Sequence, residues 1–159
     1  MDGYRTWEQR ASLSHEPTYA RQDTSHTLLM GYLLWLFGFM GMHRFYYGKK
    51  ITGTIWFFTA GLLGIGWLID LVLIPRMERE ADFRYVRGPI DYDLAWAFLA
   101  IAFLGVFGVH RFYMGKWVTG IVWLFTGGLL FMGWLYDLWT LNEQITEINS
   151  RDALRPAVG

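Results

Sequence analysis

The chain has 159 residues, of which 53% are apolar, 19% aromatic and only 18% charged, and its mean hydropathy is +0.22. That balance is displaced from soluble averages toward membrane proteins. The formal net charge is zero and there is no cysteine, which gives a nucleic-acid partner no footing and excludes disulfides, thiolate metal sites and cysteine nucleophiles.

Residues 1–26 read as a polar N-terminal arm of mixed charge, with Tyr4, Trp7 and Tyr19 as anchoring aromatics. No apolar core of signal-peptide length occurs there, so insertion is expected to rely on the first membrane helix. Thr24 and Ser25 are candidate N-caps for that helix. Residues 27–42 are continuously apolar but shorter than the roughly 20 residues needed to cross a hydrocarbon core of about 30 Å. Residues 51–74 form a comfortable second span, which Pro75 is expected to stop. From 76 to 93 the chain turns charged and turn-forming (Arg76, Glu78, Arg79, Glu80, Asp82, Arg84, Arg87, Gly88, Pro89, Asp91, Asp93), the signature of a linker. Spans at 94–109 and 117–141 follow. Residues 143–159 form a polar C-terminal tail, in which Glu143, Glu147 and Arg151 suggest an amphipathic continuation.

The two halves are copies of one another. Gly41-Met42-His43-Arg44-Phe45-Tyr46-Tyr47-Gly48-Lys49 returns as Gly108-Val109-His110-Arg111-Phe112-Tyr113-Met114-Gly115-Lys116. The match continues through Thr52-Gly53, Trp56, Phe58-Thr59, Gly61-Leu62-Leu63, Gly66-Trp67-Leu68 and Asp70-Leu71, repeated at Thr119-Gly120, Trp123, Phe125-Thr126, Gly128-Leu129-Leu130, Gly133-Trp134-Leu135 and Asp137-Leu138. A repeat of this length is the first thing that decides a fold. Each half resembles the TM2 domain, in which two membrane helices are joined by a short Gly-x-His/Asp-Arg-Phe-Tyr-x-Gly loop and a Gly-rich second helix ends near an Asp. The resemblance covers 27–75 and 94–142. It implies an all-α integral membrane protein with four transmembrane helices, arranged as two tandem helical hairpins. His43-Arg44-Phe45 and His110-Arg111-Phe112 look like the bacterial form of the motif, where animal members carry Asp-Arg-Phe. The bacterial inner (cytoplasmic) membrane is therefore the expected location, and the receptor-like roles suggested for animal members do not carry over.

With an even number of crossings per repeat, both hairpins share one orientation. Arg44 and Arg111 are then expected at one membrane face, with Asp70 and Asp137 near the other. The excess of Arg on the side of the arm, linker and tail favours the cytoplasm for those segments. On a helix of about 3.6 residues per turn, Thr52, Trp56, Thr59, Leu63, Gly66 and Asp70 share a stripe, repeated by Thr119, Trp123, Thr126, Leu130, Gly133 and Asp137. Small residues and hydroxyls suit contacts between membrane helices, so this stripe is expected to face protein, with Thr59 and Thr126 bonding across helices. Gly38 with Gly41, and Gly105 with Gly108, suggest tight crossings just before each loop.

Three constellations could carry chemistry. Asp70 and Asp137 could relay protons or bind a cation within a span, although the plainer expectation is a carboxylate near a helix end, meeting water, headgroups or Arg76. His43 and His110 could jointly ligate a metal or haem, but two imidazoles without further ligands make a poor site. Arg44, Phe45, Tyr46 and Gly48, with their counterparts Arg111, Phe112, Tyr113 and Gly115, suit a membrane interface, the rings at headgroup depth and the cation on phosphate. No phosphate loop, nucleophile triad or zinc-like spacing occurs. The reading is a non-enzymatic assembly or accessory subunit, without a cofactor, whose partners are the lipid bilayer and other integral membrane proteins in a larger complex. The alternatives are a small transporter or channel using Asp70 and Asp137, and a pigment- or quinone-contacting subunit of an electron-transfer complex.

Overall fold

A computed structural model describes residues 24–37 and 41–154, and among them all regular structure is helical. The first repeat holds α1 (Leu28–Phe37), the one-turn α2 (Met42–Tyr46), α3 (Lys50–Leu63) and the long α4 (Ile65–Arg84). The second holds α5 (Tyr92–Ala100) with a 3₁₀ turn (Ile101–Leu104), then α6 (Val109–Tyr113), α7 (Trp117–Phe125), the short α8 (Gly127–Leu130) and the long α9 (Met132–Ala153). Residues 1–23, 38–40 and 155–159 lie outside the described residues, so the expectations placed on the arm, on Gly38 and on the end of the tail are left there.

The decisive departure from the sequence reading lies inside each presumed second span. Ala60, Gly61, Leu62, Leu63 and Gly64 all have positive φ (49°, 66°, 52°, 57° and 85°), and so do Gly127, Gly128, Leu129, Leu130 and Phe131. Five left-handed residues in a row end one helix and start another that runs back along it. Lys49 Nζ lies 2.5 Å from Glu80 Oε2, and a methyl at Gly66 would sit 2.7 Å from the Trp56 ring. Those contacts require α3 and α4 to be antiparallel. Residues 51–74 are therefore a folded-back hairpin and not one crossing, and 117–141 repeat the arrangement, with Lys116 Nζ donating to Gln144 Oε1 at 2.6 Å. Among the described residues, no helix is long and apolar enough to cross a membrane.

Local chemistry explains the element ends. Thr59 Oγ1 accepts from Leu62 N at 3.1 Å, and Thr126 Oγ1 accepts from Leu129 N at 2.9 Å. Their hydroxyls cap the reversal, and the bonds across helices expected of them are not made. Thr27, not Thr24 or Ser25, caps α1 by accepting from Met30 N at 3.3 Å, because Ser25 is drawn away to Asp82 (2.7 Å from its N and 2.9 Å from its Oγ). Pro75 lies within α4 and does not stop it. A proline removes the N–H that would reach the carbonyl four residues back, and that carbonyl, of Leu71, accepts instead from the Tyr32 hydroxyl at 3.4 Å. The charged stretch from 76 to 84 is consequently the second half of α4, and the linker proper begins at Tyr85.

The helices lie side by side, with polar and apolar ends. Along α1 and α4, Ser25 meets Asp82 at one end, while Trp35 and Trp67 stack at 4.2 Å toward the other, each indole N–H donating to the other's carbonyl (2.7 and 2.9 Å). Between repeats, Lys50 pairs with Glu143 at 2.8 Å, and Trp139 Nε1 donates to Thr54 Oγ1 at 2.8 Å. As the number rises along α3 it falls along α9, so both reversals point the same way. The opposite end is a packed head: His26, Tyr46, Tyr47, Tyr92, Trp96, Leu141 and Ile145 are buried there. The tail helix takes part through Leu138, Leu141, Asn142, Ile145 and Asn149, spaced three or four apart on one face.

Candidate functional site

Each repeat is organised around one buried ion pair. Gly41, at φ 83°, turns the chain into α2; a side chain there would meet Trp56 Cβ at 2.7 Å, so only glycine fits. The turn presents His43 and Arg44 inward. Asp70 enters from the returning helix α4, six residues beyond the reversal. Its Oδ2 accepts from His43 Nε2 at 2.7 Å and from Arg44 Nε at 2.8 Å, while its Oδ1 accepts from an Arg44 terminal nitrogen. A carboxylate only accepts, so His43 carries its proton on Nε2. Asp70 and His43 are fully enclosed, and Arg44 nearly so.

The Arg44 guanidinium also lies flat over the Trp56 ring, 3.7 Å from its centroid, a cation–π contact strengthened by exclusion of water. Trp56 lies within reach because Gly66 has no side chain. The second repeat rebuilds the arrangement within 0.1 Å: His110 Nε2 to Asp137 at 2.8 Å, Arg111 Nε to Asp137 at 2.8 Å, Arg111 over Trp123 at 3.8 Å. Gly133 makes room for Trp123, and a methyl there would lie 2.6 Å from the ring. Gly108 lies close to the Gly120 carbonyl, from which a methyl would be 2.7 Å away.

These contacts correct several expectations. Arg44 and Asp70 are not on opposite faces; they share two hydrogen bonds, because the fold-back returns residue 70 to the level of residue 44. Asp70 meets neither headgroups nor Arg76, which pairs instead with Glu80 at 3.0 Å. Arg44 and Arg111 are not at lipid phosphates. The Phe45 ring covers Gly53, where a methyl would lie 3.1 Å from it, and the Phe112 ring covers Gly120, where a methyl would lie 2.8 Å from it. The Tyr46 hydroxyl donates to Asp93 and accepts from Thr27 N at 2.7 Å, while the Tyr113 hydroxyl accepts from Asp91 N at 2.9 Å. His43 and His110 each serve the Asp of their own repeat and are not brought together as a ligand pair. Gly105 is exposed with open space around its Cα; its φ of 83° ends the 3₁₀ turn, and no helix crosses there. Leu63, placed on the packed stripe by periodicity, is exposed because the stripe is cut at the reversal.

Sequence reasoning missed the seam between repeats. Asn142 Nδ2 donates to the carbonyls of Tyr46 (2.6 Å) and Phe45 (3.3 Å), and its Oδ1 accepts from Trp96 Nε1 at 2.7 Å. Asn149, two turns on, accepts from Ile90 N at 3.1 Å and donates to the carbonyls of Val86 (3.1 Å) and Ile90 (3.0 Å). The seven-residue spacing of two asparagines within an apolar stripe was the available signal. A buried amide needs all its partners, and only the far side of the fold supplies them.

The family model of the TM2 domain matches residues 24–72 and 91–139, one match per repeat. The chain belongs to the TM2 domain family. Two TM2 domain-containing proteins of Dictyostelium discoideum are similar to it: one is 47% identical over 55 residues (34% of this chain, 36% of that protein) and another 42% identical over 66 (39% and 41%). The inner membrane-spanning protein YciB of Methylobacillus flagellatus is 35% identical over 103 residues, 62% of this chain and 55% of that protein. The chain thus matches well under two thirds of the length of these relatives. No solved structure matches. In each TM2 repeat the motif's Arg neutralises the Asp and its His hydrogen-bonds the same carboxylate. As a piece of chemistry the cluster is a lock, since the carboxylate has both oxygens occupied and no exposed edge.

Proposed function

We propose that this TM2 protein is a non-enzymatic accessory subunit of the bacterial inner membrane, which packs against other integral membrane proteins and keeps its polar end toward the cytoplasm. The observation that carries the reading is the exposed apolar surface. Phe58, Leu63, Phe125 and Leu130 are 81 to 90% exposed, and Leu29, Leu36, Ile51, Ile65, Val72 and Met132 are also open. Exposed apolar side chains in such number support contact with membrane or protein. The charged cluster that could have supported transport is closed in both repeats, so no observation favours the channel alternative, nor the pigment or quinone one. The test is purification in mild detergent after crosslinking in the native membrane: co-purifying integral membrane proteins in fixed proportion are expected. A chain recovered alone from membranes, or an ion flux in vesicles that Asp70→Asn and Asp137→Asn abolish without unfolding, would overturn it.

A further inference from the structure

We propose that both fold-back tips enter one leaflet of the bilayer from the same side, taking lipid acyl chains as their partner, so that the head, both motif loops and the linker stay on one face of the membrane. The inference rests on the membrane reading above and goes beyond it in stating how the chain is embedded.

Three independent features agree. The first is length. Each long helix changes character part-way: α4 is apolar from Ile65 to Ile74 apart from the enclosed Asp70, then carries Arg76, Glu78, Arg79, Glu80, Asp82 and Arg84. In α9 the apolar part is Met132 to Leu141 around the enclosed Asp137, followed by Asn142, Glu143, Gln144 and Glu147. Ten residues at about 1.5 Å each make about 15 Å, half of a hydrocarbon core of about 30 Å.

The second is direction. The Lys50–Glu143 and Trp139–Thr54 contacts align α3 antiparallel to α9, so both reversals lie at one end and every charged belt at the other. Lys49 sits beside Glu80, on the linker side, where a crossing would have separated them. The third is the tip surface. Phe58, Leu62, Leu63 and Ile65 are exposed around one reversal, and Phe125, Leu129, Leu130 and Met132 around the other. The buried ion pairs complete the design, because an unpaired Arg or Asp at that depth would be costly in lipid. Backbone groups at the tips need internal partners there too: Gly64 N bonds the Ala60 carbonyl at 3.1 Å and Phe131 N that of Gly127 at 3.0 Å.

The absence of native cysteine permits a clean test. Single cysteines at Lys49, Phe83, Lys116 and Arg151 report the head, and those at Phe58 and Phe125 report the tips. Each variant, made as the full chain, is reconstituted into phosphatidylcholine–phosphatidylglycerol vesicles and exposed to an impermeant maleimide outside, or trapped inside. All four head positions are expected to react from one common side, and the tip positions from neither until detergent is added. Reaction of Lys49→Cys and Phe83→Cys from opposite sides would overturn the single-leaflet insertion while leaving the membrane reading intact. Tip cysteines that react freely, in protein that fails to float with the vesicles, would instead sink the membrane reading itself. Lys49→Cys and Lys116→Cys each report a motif loop, so either one, compared with the exposed Phe83→Cys and Arg151→Cys, decides the sidedness if the other folds poorly.

Discussion

The two repeats carry the same core and different coats. The ion pair, the stacked Trp and the glycines that admit it are superposable in chemistry at Asp70 and Asp137, whereas the loops around them have diverged. Gly48 lies under the Tyr85 hydroxyl and gives its carbonyl to Arg84 at 3.2 Å; its counterpart Gly115 is open. There the chain lacks a matching Tyr, and a cavity of about 530 Å³ lined by Arg111, Lys116, Trp117, Gln144 and Glu147 opens beside it. Asp137 gains a donor that Asp70 lacks, Gln144 Nε2 at 3.1 Å. After duplication, each half has kept the cluster that lets charged residues sit within apolar helices. Among the described residues, the seam roofs the first repeat's loop through Asn142 and leaves the second repeat's loop open at Gly115.

The largest effects test the shared core. Asp70→Ala and Asp137→Ala should each destabilise by about 3–5 kcal/mol, since either leaves a buried Arg and His without their acceptor. Thermal unfolding followed by Trp fluorescence in mild detergent measures this. An unchanged midpoint for one of the two would end the equivalence of the cores.

Next comes the roofed glycine. Both Gly48 and Gly115 have φ near 72°, so alanine at either costs about 1–2 kcal/mol of backbone strain. Gly48→Ala must in addition displace Tyr85, adding about 1–3 kcal/mol of overpacking. Equal midpoints for the two variants would show that Tyr85 does not close the first loop.

A further asymmetry appears with pH. His26, fully buried in the head of the first repeat, stands where the second repeat has Asp93. Burial pushes its pKa down to about 4, against the upward pull of Asp82. The unfolded chain therefore binds a proton that the folded chain refuses between about pH 6.5 and 4, and stability should fall as pH is lowered through that window. His26→Gln should flatten this slope in unfolding midpoints recorded from pH 7 to 4; an unaltered slope would assign it to other groups.

The smallest effect lies in the reversals. Ala60 is left-handed where the second repeat has Gly127, and Gly64 corresponds to Phe131. Ala60→Gly should gain, and Gly127→Ala lose, about 1–2 kcal/mol, the backbone strain of a left-handed alanine with no clash added to it. Opposite signs in a paired denaturation measurement would confirm that both turns use the same geometry, and equal signs would refute it.

Much of this molecule was legible in the chain itself: the duplication, the helical class, the TM2 family and the repeated residues. His43, Arg44, Trp56, Gly66 and Asp70 stand out because they recur, and recurrence reports a shared environment without stating which environment it is. Helical periodicity placed Trp56, Gly66 and Asp70 on one stripe of one straight rod, and they do converge, but by another route. What the sequence could not reveal is the left-handed turn at 60–64 and 127–131. Apolar Ala, Leu and Gly there fit an uninterrupted span as well as they fit a reversal, since periodicity is blind to the sign of φ. The tertiary structure decides it: an Arg and an Asp 26 residues apart can neutralise each other in a water-free interior only if the chain doubles back between them.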